Sequence, residues 1–131
     1  LNKEFNFSLD LAADENNIKC QNYFSKEQDA LQQKWTGNCW LNPPYGSKNY
    51  KLQNWIKKAY QESQEEGCIV VMLIPARCNT KWWHNYCMKA AEIRFICGRP
   101  KFGESKHGLP QPLILLVFKK SNITKFSSFY L

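Results

Sequence analysis

The chain has 131 residues, with 44% hydrophobic and 22% charged residues and a formal net charge of +7. That length and composition describe one globular domain with a single modest core. They exclude a membrane helix, because no apolar run approaches the roughly 20 residues such a helix needs. They also argue against a disulfide framework, because the six cysteines fall at no framework spacing and form no CxxC pair.

The charge is unevenly spread. Residues 1–35 carry four lysines against six acids, whereas residues 98–131 carry six basic groups against Glu104 alone. A basic half suits a polyanionic partner such as nucleic acid, or a surface charged for solubility. Several cysteines sit inside apolar runs, such as Cys68 in "CIVVMLIP" and Cys97 in "IRFIC", as buried thiols of a reducing compartment do. Cys78, His84 and Cys87 lie close in sequence but lack an evident fourth ligand, so no metal is expected. The segment from Leu1 lacks the basic-then-apolar pattern of a signal peptide, and a cytosolic protein, or a fragment of one, is expected.

Along the chain, "FNFSLDLAA" (5–13) reads as a buried strand delivering a loop. "SKEQDALQQKW" (25–35) places Gln28 three residues after Ser25, a capping-box spacing that predicts a short helix. "NCWLN" (38–42) reads as a strand running into a Pro-Pro turn. Leu52, Trp55, Ile56, Ala59 and Tyr60 then recur at helical spacing, with Gly67 where such a helix would stop. "CIVVMLIP" (68–75) is a continuous apolar run, as expected of a strand covered on both faces. "NTKWWHNYCMKAA" (79–91) predicts a second helix capped by Asn79 or Thr80. "EIRFIC" (92–97) and "LILLVFKK" (113–120) read as strands, joined by a Gly- and Pro-containing loop over 98–112. The tail "SNITKFSSFYL" (121–131) has no clear assignment.

Strands alternating with helices predict an α/β fold: one domain over 1–131, with a mostly parallel twisted sheet and helices on both faces. No helix is evident between the last two strands, so they are expected to pair antiparallel.

Ligands of open α/β sheets bind at the carboxyl ends of the strands, where "NPPY" (42–45) stands. Pro43 and Pro44 lock their backbone angles and donate no hydrogen bond, so the neighbouring carbonyls are rigidly aimed acceptors. Asn42 adds a side-chain acceptor and Tyr45 a flat face. Two fixed acceptors beside a ring suit a planar ligand with an exposed amino group, such as an aminated nucleobase.

"NPPY" after a strand is the catalytic motif of S-adenosylmethionine-dependent amino-methyltransferases. In order, "FSLDLAADENNIKCQNYF", "DALQQKW", "CWLNPPYG", "WIKKA", "VVMLIPARCNTKWWH", "IRFICGRPKF" and "LVF" resemble the phage-type DNA adenine amino-methyltransferase family. The resemblance runs from about Phe5 to Phe118, leaving 119–131 as a tail. It implies a Rossmann-like methyltransferase domain in a bacterial or phage-infected cell, acting on the adenine amino group of double-stranded DNA. Catalysis would fall to Asn42, Pro43, Pro44 and Tyr45. S-adenosylmethionine would lie over "LDLAAD", with Asp10 near its cationic end and Ala12 and Ala13 letting the backbone approach. Phe24 and Asp29 would meet its adenine. Of the adjacent tryptophans, Trp83 is the candidate for substrate contact. Arg99, Lys101, Lys106 and His107 would meet DNA phosphates.

The sequence departs from the family pattern at Cys78-Asn79, where a threonine–aspartate pair is expected, and at Pro100, which interrupts "GRPKF". The same amide logic also serves methylation of RNA or of a glutamine side chain. A decayed, non-catalytic DNA-binding domain is the third reading, prompted by the small room left for target recognition. Oligomeric state and recognised site have no sequence signal.

Overall fold

The computed structural model describes residues 1–11, 30–43, 52–98 and 112–131. Its elements are, in order, α1 (Asn2–Phe5), β1 (Leu9–Asp10), β2 (Gly37–Leu41), α2 (Leu52–Ser63) and β3 (Cys68–Pro75). There follow α3 (Lys81–Asn85), β4 (Glu92–Cys97), β5 (Leu113–Phe118) and β6 (Lys125–Tyr130). Short 3-10 turns occupy Ala30–Gln32 and Cys87–Lys89.

The strands form one six-stranded mixed sheet in the order β1-β2-β3-β5-β4-β6. The β1–β2, β2–β3 and β4–β6 ladders are parallel, and β5 pairs antiparallel with β3 and with β4. β5 therefore runs against the other five strands and lies inside the sheet. The continuous apolar runs behave as their composition requires. Every residue of β5 is buried, and in β3 only Ile69 is partly exposed.

One face of the sheet carries Cys39, Leu41, Val70, Met72, Ile114, Leu116 and Phe118, packed with Trp55, Ile56 and Ala59 of α2 and Trp83 of α3. The other carries Val71, Leu73, Leu113, Leu115 and Val117, flanked by Leu1, Phe5, Phe7 and Trp40. Both longer helices thus share a face, and the second face is met by the single-turn α1. Among the described residues, the expectation of helices on both faces holds only through that turn.

Four sequence expectations change. The strand read over 5–13 is confined to Leu9–Asp10 among the described residues. Asn6 at φ 49° breaks the extended run, and Phe5 and Phe7 stack at 5.6 Å while packing toward the second face. Of the helix read over 25–35, residues 25–29 lie outside the described residues and 30–32 form a 3-10 turn. The helix read over 79–91 is regular only to Asn85. The chain must enter the sheet there, between β5 and β6: Ala91 N donates to Val117 O at 2.8 Å, and Lys125 N to Ala91 O at 2.9 Å. The unassigned tail contains β6, an edge strand parallel to β4.

Candidate active site

The carboxyl ends of β1, β2 and β3 lie side by side. Asp10 is level with Trp40, Leu11 N donates to Trp40 O at 3.0 Å, and Leu41 is level with Met72. Asn42 and Pro43 follow directly on β2, so they stand two and three residues beyond the level of Asp10 on the neighbouring strand. Pro43 is buried and Asn42 half-buried. Asp10 is 3% exposed, an unusually enclosed place for a carboxylate at a strand end.

Gly37 sets the start of β2. Its φ of 74° is costly for any residue with a side chain, and an added Cβ would come within 2.6 Å of Ser8 Oγ. Trp35, just before it, is fully buried and stacks on Trp55 at 6.2 Å. Its Nε1 donates to Ala30 O at 2.9 Å, tying the 3-10 turn to α2.

β3 leaves the sheet through a tight turn. Arg77 N donates to Pro75 O at 3.0 Å, and Ala76 N donates to Pro112 O at 2.9 Å. Thr80 caps α3: its Oγ1 accepts from Trp83 N at 3.3 Å and donates to Arg77 O at 2.8 Å. His84 Nε2 lies 2.9 Å from Cys78 O, which makes it the donor there. The tryptophan pair is split: Trp83 is 5% exposed in the core and Trp82 is half-buried. Trp83, named from the sequence as a DNA contact, thus occupies a packing position. The described ends of the basic connection, Gly98 after β4 and Pro112 before β5, both lie at this same rim.

The structure therefore brings Asp10, Asn42 and Pro43 to one rim. Pro44 and Tyr45, expected to be catalytic, lie outside the described residues, as do Ala12, Ala13, Phe24 and Asp29, expected to meet the cofactor. Arg99, Lys101, Lys106 and His107 lie outside them too. Sequence reading passed over Arg77 and Lys81, both exposed where β3 gives way to α3. The available signal was the absence of any Asp or Glu between Glu66 and Glu92. A groove of about 280 Å³ between the 30–32 turn and α2 is lined by Leu31, Gln32, Asn54, Lys57, Lys58 and Gln61, and does not include Asp10, Asn42 or Pro43. Among the described residues no three His, Cys, Asp or Glu side chains group as a metal site.

Comparison with known proteins adds the family to this geometry. The family model described as DNA N-6-adenine-methyltransferase (Dam) matches residues 1–127. The chain belongs to the DNA N-6-adenine-methyltransferase family. It is 31% identical over 120 residues to the DNA N-6-adenine-methyltransferase of Haemophilus phage HP1, covering 86% of this chain and 67% of that protein. It is 37% identical over 92 residues to the DNA N-6-adenine-methyltransferase of Escherichia phage T1, covering 69% of this chain and 37% of that protein. The chain thus spans about two thirds of one relative and little more than a third of the other.

Proposed function

We propose that the chain transfers a methyl group from S-adenosylmethionine to the exocyclic amino group of adenine in double-stranded DNA. The observation that carries this is Asn42 followed by buried Pro43 at the carboxyl end of β2, next to the enclosed carboxylate of Asp10 on β1, in a chain of this family. A buried carboxylate at that place fits a cationic methyl donor, because burial strengthens its attraction for a sulfonium or ammonium charge. Asp10 would hold the donor's cationic end, with Ala12, Ala13, Phe24 and Asp29 as its remaining contacts. When bound, the donor supplies an electrophilic methyl group on a sulfonium.

The protein's part is to make a poor nucleophile competent. The adenine amino lone pair is delocalised into the ring. Hydrogen bonds from its two N–H groups to Asn42 Oδ1 and the Pro43 carbonyl favour a pyramidal nitrogen with a localised pair. Asn42 and Pro43 would thereby aim that pair at the methyl carbon the donor supplies, for which the sulfonium sulfur would be the leaving group, and one amino proton would leave to water. Positioning and fixed dipoles supply most of the rate. Tyr45 stacks on the base after extrusion from the duplex; unstacking costs a few kcal/mol and an aromatic stack returns about 1–3 kcal/mol.

The test is transfer of labelled methyl from S-adenosylmethionine to unmethylated duplex DNA. Wild-type protein is expected to label adenine, and Asn42→Ala to lower the rate by at least about 100-fold, the usual cost of losing one transition-state hydrogen bond. Its circular dichroism should stay native. Labelling of RNA or glutamine but not DNA, or an Asn42→Ala variant as fast as wild type, would refute this reading.

A further inference from the structure

We infer that Arg77 and Lys81 form a preorganised phosphate-binding platform that seats the DNA strand beside the catalytic rim; the inference rests on the DNA reading above and deepens it.

Place is the first ground. β3 lies next to β2, so its exit at Pro75–Arg77 adjoins Asn42 and Pro43. On its other side it is tied to Pro112, the far anchor of the basic connection, through the Ala76 N to Pro112 O bond of 2.9 Å. A strand held at this rim would pass over the exit of β3.

Rigidity is the second. The turn carrying the two cations is closed from below: Arg77 O accepts from Thr80 N at 3.3 Å and from Thr80 Oγ1 at 2.8 Å. Cys78 O is held by His84 Nε2 at 2.9 Å, and the following turn of helix is pinned by buried Trp83. Arg77 and Lys81 are themselves exposed. Their charges are thus presented from a fixed backbone, which lowers the ordering cost of binding.

Charge is the third. From Gly67 to Ala91 the chain has Arg77, Lys81 and Lys89 and no acid. The planar fork of Arg77 suits two oxygens of one phosphate, while Lys81, the first residue of α3, adds a point charge.

The experiment measures binding of a fluorescent unmethylated duplex over a range of salt, with methyl transfer in parallel. Each phosphate contact contributes about 0.9 to the slope of log affinity against log salt. Arg77→Gln and Lys81→Gln are each expected to lower that slope by about 0.9, and the pair by about 1.8. Arg77→Lys should retain the slope, and Lys125→Gln, at the opposite end of the sheet, should not change it. In the transfer assay KM for DNA rises while kcat at saturating DNA in low salt is held. An unchanged slope in the double variant overturns the platform whether or not methyl is transferred. Normal DNA binding without transfer by the wild type overturns the enzymatic reading alone. Wild-type protein that does not bind DNA overturns both.

Discussion

Replacing Arg94 by methionine removes the cation that fastens α1 to the sheet. Arg94 Nη1 and Nη2 donate to Glu4 Oε1 and Oε2 at 2.8 and 2.6 Å, and Nη2 also reaches Glu92 Oε1 at 3.1 Å. The guanidinium lies 5.3 Å from the centre of the Phe5 ring. The Arg94 side chain is 11% exposed, Glu92 23% and Glu4 51%. Unit charges at contact attract by about 1 kcal/mol in water and about 4 kcal/mol at an effective dielectric of 20. Because Glu4 is half in solvent, the pair belongs with surface bridges of about 0.2–1 kcal/mol. The two-pronged geometry places it at the upper end, about 1 kcal/mol. Methionine keeps the packing of the stem but leaves Glu92 without its partner, so the single change should cost about 2 kcal/mol in all.

The coupling carries a pH signature. The hydrogen bond from Arg94 holds the Glu4 carboxyl below its ordinary value of 4.5, with burial opposing. Arg94 is shifted upward, chiefly by the bond to Glu4, so it stays charged. A lowered carboxyl stabilises the fold fully above its unfolded value and ceases to do so as pH falls through the folded one. Urea unfolding of wild type, Arg94→Met, Glu4→Gln and the double variant should give about 1 kcal/mol of coupling near neutrality, vanishing as pH falls through the lowered value of folded Glu4. Additivity within about 0.3 kcal/mol at neutral pH, or coupling that survives acid, would refute the assignment of α1's hold to this ion pair.

Trp35→Ala should destabilise by about 3–5 kcal/mol in thermal or urea unfolding, since a fully buried indole, its stack and its bond to Ala30 O are lost together. Thr80→Ala should cost about 1 kcal/mol and speed hydrogen exchange at the Trp83 amide, the group its hydroxyl accepts from. Burial pushes the Cys87 thiol up to about 12. The neutral thiol therefore supports the fold below the ordinary thiol value, and that support is lost as pH rises toward the folded one. Iodoacetamide at about pH 8 should label exposed Cys78 and Cys97 before buried Cys39, Cys68 and Cys87, as read by peptide mass spectrometry.

What the sequence discloses follows from where its side chains end up. β3 and β5 are legible because a strand covered on both faces needs apolar residues throughout, and "CIVVMLIP" and "LILLVF" supply them. α2 is legible because one face buries Trp55, Ile56 and Ala59 at helical spacing. β6 is not, because "KFSSFY" is exposed along nearly its whole length and is held by backbone pairing to β4. The early end of α3 is set by Ala91 docking on β5, a tertiary bond with no local signature. At the site, Asn42 was recognisable as a polar group at a strand end, whereas Asp10, read inside a strand over 5–13, was singled out only by the family resemblance. That they share a rim depends on β1–β2 register, and that Trp83 rather than Trp82 enters the core depends on packing.

The antiparallel strand has a consequence for the site. Had β4 and β5 been parallel, their connection would have crossed the sheet and delivered one end of the 99–111 segment to the far rim. Because β5 runs back between β3 and β4, that connection leaves from Cys97 and returns at Leu113, both at the carboxyl rim. β6 then runs parallel to β4 and brings Tyr130 and Leu131 back to the same rim, where Leu131 N donates to Cys97 O at 3.4 Å. The sheet thus anchors "RPKFGESKHGLPQ" at both ends beside the exit of β3, with the ends tied to neighbouring strands. The basic connection, Arg77 and Lys81 therefore all issue from the rim that carries Asn42, where the DNA strand of the proposed reaction would lie.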